Sequence, residues 1–205
     1  MSELTKEPVK RVAIQGTAGA FHELAARRYF GSLIEVDECN TFACVCQKVS
    51  EGEADFGIMA IENTIAGSLL QNYSLINTHQ LKIVGEIYLH IEMQLMALPG
   101  ISFSSIEHII SHPIAIAQCR EFLDTLPPNI KISEASDTAG AARMISEKEL
   151  DNTAAIAGIN AAELYDLEVL EKDIHTNKQN FTRFLVLSTQ NVVNTRHNKR
   201  SICFE

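Results

Sequence analysis

Between residues 83 and 97 every odd position is apolar or small: Ile83, Gly85, Ile87, Leu89, Ile91, Met93, Leu95 and Ala97. Alternation with a period of two belongs to extended chain, so this run reads as one long strand, bent or interrupted. It is too long for one small sheet, and Pro99-Gly100 closes it. The run therefore reads as a connection passing from one lobe of structure into another.

The same unit recurs on both sides of that connection: strand, polar turn, helix. Before it, residues 11–15 form a short buried strand, Gly16-Thr17-Ala18-Gly19 a turn, and residues 20–30 a helix. A strand over 33–36 follows, then Thr41 as N-cap of a helix over 42–49. A strand over 56–61 ends in Glu62-Asn63-Thr64, and a further helix lies beyond Gly67. After the connection, Ile109-Ile110 leads through Ser111-His112-Pro113 into a helix over 114–126, broken by Pro127-Pro128. A strand over 130–132, a helix over 138–148 capped by Asp137, a strand over 154–157 and a helix over 159–165 complete the series.

Residues 180–188 are a last strand, rich in β-formers, that leads out of the second lobe and back into the first. Two crossings predict an α/β protein of two lobes around a central cleft, resembling the type 2 periplasmic-binding-protein fold. The expected boundaries are 11–86 plus 181–190 for lobe 1 and 87–180 for lobe 2. In open α/β sheets ligands lie beyond the carboxyl ends of the strands, and the polar turns fall there.

Composition narrows the function. The net charge of −9 makes nonspecific binding to nucleic acid or an anionic membrane a poor expectation, so the reading is no nucleic-acid and no membrane partner. No apolar run approaches a membrane span, and residues 1–10 lack the apolar core of a signal peptide. Cys39, Cys44, Cys46, Cys119 and Cys203 have neither disulfide-framework nor metal-ligand spacing. They read as free thiols in a reducing cytosol, with a cytoplasmic location and no metal site.

The turns hold the candidate chemistry. Gly16-Thr17-Ala18-Gly19 is either a plain tight turn, the preferred reading, or a cradle of N–H groups for an anion. Glu62-Asn63-Thr64 is either a cap for the helix beyond Gly67 or a polar ligand-facing cluster. Ser111-His112-Pro113 reads first as a cap with proline at the first helical position. Gln118 and Cys119 follow on that helix, facing a ligand or packed inside. Asp137-Thr138 is first an N-cap. The sharpest anomaly is Asn180-Phe181-Thr182-Arg183-Phe184, a polar head on a buried strand. A guanidinium cannot shed its charge, so either these groups satisfy one another or they face a ligand. From the residues alone, the reading is a cleft that orients a polar anion.

These segments, in this order, resemble prephenate dehydratases through nearly the whole chain. The motifs are Gly16-Thr17-Ala18-Gly19-Ala20-Phe21-His22-Glu23, Ile61-Glu62-Asn63-Thr64 with Gly67, Ser111-His112-Pro113 with Gln118-Cys119, Asp137-Thr138-Ala139-Gly140-Ala141-Ala142, residues 154–167, and Asn180-Phe181-Thr182-Arg183-Phe184. The resemblance implies a carbon–oxygen lyase that converts prephenate to phenylpyruvate, water and carbon dioxide in phenylalanine biosynthesis, without metal or organic cofactor. The rival in the same class is arogenate dehydratase; from another class it is a non-catalytic two-lobe binding module.

By that resemblance Thr182 aids departure of the leaving hydroxyl, with Arg183, Glu62 and Asn63 also catalytic and Arg183 set against a substrate carboxylate. Thr64, Gly67, Ser111, Gln118, Thr138, Phe184, Gly19 and Ala20 would shape the substrate site. His22, Ile114 and Asp137 depart from the family's usual Ser, Gln and Ser, and are left out of that set. The family implies a homodimer or homotetramer. It also implies continuation into a phenylalanine-binding ACT domain: residues 190–199 read as linker and 200–205 as that domain's first strand, so no feedback inhibition is expected.

Overall fold

The computed structural model describes residues 9–190. The expected linker and ACT strand lie outside the described residues, apart from Gln190.

β1 (Lys10–Gln15), β2 (Ile34–Cys39) and β3 (Phe56–Asn63) run parallel, joined by α1 (Phe21–Phe30) and α2 (Phe42–Ser50). The helices lie where the sequence puts them, and Thr41 Oγ1 accepts the Cys44 N–H as the expected N-cap of α2. β4 (Gly67–Ser68) folds back on β3 before α3 (Leu70–Thr78). Asn63 and Thr64 do not cap α3, whose first turn has no side-chain cap. Instead Asn63 Oδ1 accepts the N–H groups of Ile65 and Ala66 at 2.9 and 2.8 Å, turning the chain after β3.

The alternating run is interrupted where the lobes meet. β5 (Lys82–His90) belongs to the first sheet, β6 (Gln94–Ala97) to the second, and residues 91–93 cross between them. The first sheet thus continues to His90, past the expected boundary at 86. The strand breaks because its backbone bonds the returning segment: Ile91 N–H donates to Asn180 O at 2.7 Å and Ile174 N–H to Met93 O at 2.9 Å. β11 (Phe181–Ser188) then enters the first sheet between β3 and β5, antiparallel to both, in the order β2-β1-β3-β11-β5.

The second sheet is built from β6, β7 (His108–Ser111), β8 (Lys131–Glu134), β9 (Thr153–Ala157) and β10 (Glu168–Glu171), in the order β10-β6-β9-β7-β8. β10 is absent from the sequence reading. The helix expected over 114–126 is two: α4 (Pro113–Gln118) and α5 (Arg120–Leu123). It breaks at Cys119 because the Gln118 carbonyl accepts the Thr176 N–H of the returning segment at 2.8 Å. α6 (Thr138–Lys148) and α7 (Ile159–Leu164) complete this lobe.

Val12, Ile14, Ile58, Phe184 and Val186 form the core under α1, while Met59, Ile61, Leu185 and Leu187 pack with α2 on the opposite face. A third cluster joins Ala20 of the first lobe to Ala157, Ala161 and Ala162 of the second. Two α/β lobes therefore share a cleft and are packed together at one end of it.

Candidate active site

Thr182 and Asn63 stand opposite each other on β11 and β3, and Arg183 stands opposite Glu62. Directly opposed side chains share a sheet face, and successive residues alternate. The two pairs consequently point to opposite faces.

On the Thr182 face the polar groups satisfy one another. Asn63 Nδ2 donates to Thr182 Oγ1 at 2.9 Å, Asn180 Oδ1 at 2.8 Å and Phe181 O at 3.3 Å. Asn180 Nδ2 donates in turn to Gln118 Oε1, on α4 of the second lobe, at 3.1 Å. The Asn63 oxygen is committed to backbone N–H groups, which fixes which end of its amide meets Thr182. Thr182 Oγ1 therefore accepts from Asn63 and keeps its own proton free to donate. Asn180 is fully buried and Thr182 is 8% exposed. A hydroxyl donor is thus held in a largely dry place, fixed by groups from both lobes.

On the other face Arg183 is engaged within the protein. Its Nε lies 2.9 Å and its Nη2 2.8 Å from Glu86 Oε2, its Nη1 lies 3.9 Å from Glu62 Oε2, and its guanidinium sits 5.9 Å from the Tyr88 ring centroid. The guanidinium is thus held by carboxylates of the protein, on the face opposite the Thr182 hydroxyl. The structure brings Arg183 to Glu62, and neither to Thr182.

The remaining expected site residues divide similarly. Thr64 ties the polar head together, donating to Gln179 O at 2.7 Å and accepting the Phe181 N–H at 2.9 Å. Gly67 faces Asn63 across the β3–β4 pair. Gln118 joins the Thr182 network, whereas Cys119 is buried in the core. Ser111 is also buried and donates to Ile156 O at 2.6 Å, so its hydroxyl holds β7 to β9 and is not offered to the cleft. His112 Nδ1 accepts the Ile114 N–H at 3.2 Å, the expected cap, and Pro113 opens α4. Phe184 is 1% exposed and lies beneath His22, with ring centroids 5.0 Å apart, so its ring is not the surface a ligand meets.

The glycine turn does not offer an empty anion cradle. The Ala18 N–H donates to Glu38 Oε1 at 2.7 Å, the Gly19 N–H to Glu23 Oε2 at 2.6 Å and the Ala20 N–H to Thr17 O at 3.0 Å. Gly19 and Ala20 serve instead to dock the lobes. Gly19 has φ +86°, and a Cβ there would meet Ala161 of α7 at 3.2 Å. Asn160 Nδ2 donates to Gly19 O, Tyr165 Oη to Ala18 O at 2.6 Å, and Thr17 Oγ1 to Asp137 Oδ2 at 3.0 Å. Burial pushes the Tyr165 hydroxyl up to about 12, so it stays a donor. Asp137 Oδ1 also accepts the Gly140 N–H at 2.6 Å, leaving Thr138 as the first helical residue behind that cap. The carboxylate in place of the family's usual Ser thus caps α6 and grips the other lobe at once.

Sequence reasoning missed Asn180 as the hub of the network, Glu86 as the partner of Arg183, and the contacts of Asn160 and Tyr165. Asn180 was visible as part of the polar head, and Glu86 lies at an even, outward position of the alternating run. Asn160 and Tyr165 carry no local signal, since their partners are more than 140 residues away. No cluster of His, Cys, Asp and Glu able to hold a metal ion occurs among the described residues. No helix among them is long and apolar enough to cross a membrane.

The chain is similar to known proteins over most of its length. The family model described as prephenate dehydratase matches residues 12–192. A chloroplastic protein of Arabidopsis thaliana named arogenate dehydratase/prephenate dehydratase 6 is 38% identical over 210 residues, covering all of this chain and 51% of that relative. Prephenate dehydratase from Arthrobacter aurescens, solved in complex with L-Phe, superimposes with a TM-score of 0.81 at 31% identity, over 91% of this chain and 63% of that one. A structure described as a quorum-quenching acylase, GqqA, has a TM-score of 0.79 at 33% identity, over 90% of this chain and 66% of that one. The chain spans about half the length of the curated relative. With the matched model running through both lobes and both crossings, the chain belongs to the prephenate dehydratase family.

Proposed function

We propose that this chain carries the dehydratase activity of its family, converting prephenate to phenylpyruvate as a carbon–oxygen lyase. The reaction balances as prephenate dianion plus one proton, giving phenylpyruvate monoanion, carbon dioxide and water. The ring C–C bond to the carboxylate breaks, its electron pair enters the ring, and the C4–O bond breaks as the ring becomes aromatic. The drive is large, and the difficulty lies in the leaving hydroxide. A donor aimed at that oxygen stabilises the charge developing on it.

The observation that carries the reading is the Thr182 hydroxyl, which accepts from Asn63 and has its proton left to give. Asn63, Asn180 and Gln118 then act as orienting residues, since each fixes the next. Glu62 and Arg183 take a supporting role, holding β3, β11 and β5 in register beneath the site.

The experiment is incubation with prephenate, following phenylpyruvate by its absorbance; absence of turnover by the intact chain refutes the reading. Arogenate is the second substrate to assay, because the Arabidopsis relative is named for both activities. Comparison of kcat/KM on the two substrates decides between them. Cytoplasmic location and assembly as a homodimer or homotetramer belong to the same proposal. They are checked by fractionation and by sedimentation.

A further inference from the structure

The hinge carries a pair of histidines that the dehydratase chemistry has not yet used. His90 is the last residue of β5 and His175 lies on the returning segment, with ring centroids 6.1 Å apart. His90 Nε2 lies 2.6 Å from Lys178 O, and its Nδ1 lies 3.1 Å from Glu92 Oε1. A carbonyl and a carboxylate only accept, so the ring that satisfies both is the imidazolium, with two N–H donors. That cation stacks on the Phe181 ring, centroids 4.8 Å apart. His175 is the opposite case. Its Nδ1 accepts the Met93 N–H at 3.4 Å, and burial, with the Lys178 ammonium as a further cause, lowers its pKa. The charge of the pair therefore rests on His90. Around it stand Glu92 from the first crossing, Phe181 from β11, and His175 and Lys178 from the return. The Lys178 ammonium is engaged by the carbonyls of Asp173 and His175, and the Asp173 carboxylate by Gln94.

Lys178 O is one of four successive carbonyls that fix the segment entering β11. Gln179 O accepts the Thr64 hydroxyl at 2.7 Å, Asn180 O the Ile91 N–H at 2.7 Å and Phe181 O the Thr64 N–H at 2.9 Å. Thr182 follows directly, and Asn180 is the hub of the network that orders its hydroxyl. Of these donors only the imidazolium can shed a proton near neutral pH. We propose that His90 is a positioning residue for the reaction: its charged ring ties Glu92 of the first crossing to Lys178 of the second, and so holds Asn180 and Thr182 in place. The inference rests on the dehydratase reading and adds to it the state of the hinge that turnover requires. A neutral ring keeps one N–H and sets a lone pair against either the carboxylate or the carbonyl. The tie therefore slackens as the proton leaves.

The test is the pH profile of kcat and KM with prephenate for wild type, His90→Gln and Glu92→Gln. Thr182, Asn63, Asn180 and Gln118 do not titrate between about pH 6 and 9, so an alkaline fall in kcat belongs to another group. Wild-type kcat is expected to fall at least about fivefold over that range, with KM changing less than about twofold. His90→Gln keeps an N–H and has no charge, so its kcat should lie flat at the alkaline value of the wild type. Glu92→Gln, at a half-exposed side chain, offers the neutral ring an amide donor in place of the carboxylate. It should reduce the fall to less than about twofold. A merely structural role for His90 would lower stability and leave the folded variants with the wild-type slope. The proposal is overturned if the wild-type profile is flat, or if either variant keeps the full fall. Should His90→Gln not fold, Glu92→Gln decides alone. The 15N spectrum of the His90 ring is a reading independent of turnover: two protonated nitrogens at about pH 6 support the tie, and a neutral ring overturns it. Wild-type protein inert toward prephenate at every pH refutes the dehydratase reading itself, and the ring spectrum keeps that outcome separate from failure of the tie.

Discussion

Thr182 and Arg183 are adjacent in the chain and opposite in consequence. Replacing Thr182 by Val removes the donor and keeps the shape; kcat with prephenate is expected to fall about a hundredfold or more, while Thr182→Ser retains much of it. Arg183→Met should act elsewhere. It leaves Glu86 without the guanidinium, at a cost of about 1.5–3 kcal/mol read from the urea midpoint, with KM little changed. His22 adds a pH signature. Its folded-state pKa of about 4 lies below the ordinary 6.5, so the unfolded chain binds the proton more readily between those values. Its stabilising contribution is complete above pH 6.5 and is lost as pH falls toward 4, by up to about 3 kcal/mol. The buried His175, whose pKa is also lowered by desolvation, works in the same sense. Unfolding curves from pH 7 to 4 should be flatter for His22→Phe than for wild type.

At the scale of elements, legibility followed the range of the forces. Thr41 as a cap depends on its neighbours in sequence and was readable. The period of two showed that the run over 83–97 is extended and bent or interrupted, but the place of the break is set by residues 174 and 180. The period of two also held the answer for Arg183, because strand alternation sends residues 182 and 183 to opposite faces. A charge next in sequence to the Thr182 hydroxyl invites the opposite conclusion, and the partner at Glu86 shows where the guanidinium lies. The break of the helix at Cys119 was not readable, since it depends on Thr176 meeting the Gln118 carbonyl. β4, two residues long, is too short to show a pattern, and β10 carries glutamates at both ends of Val169-Leu170, which hides its strand character. Asp137 tests this scale. Asp137→Ala should destabilise the protein by about 1 kcal/mol through loss of the α6 cap, whereas Asp137→Ser should restore the cap but not the bond to Thr17. Thermal melts of the two variants separate the contributions.

For the whole molecule, the two crossings and the docked glycine turn close the chain into a ring. The lobes are joined at the hinge by residues 91–93 and 172–180. At the far rim they are joined by Thr17 to Asp137, Tyr165 to Ala18 and Asn160 to Gly19. Three such bonds at about 1 kcal/mol each, added to the packing of Ala20 on Ala157, Ala161 and Ala162, keep the rim latched in all but a small fraction of molecules. If bound and free forms both carry the latch, it cancels from the affinity and governs only passage in and out. Traffic would then be paced by the opening of the gate, below the rate of collision. A Thr17→Val/Tyr165→Phe double variant should speed phenylpyruvate association and dissociation together in stopped flow, with Kd held within about twofold. The small-residue turn that looks built to grip a ligand would on this account be the doorkeeper, setting how long a visitor waits.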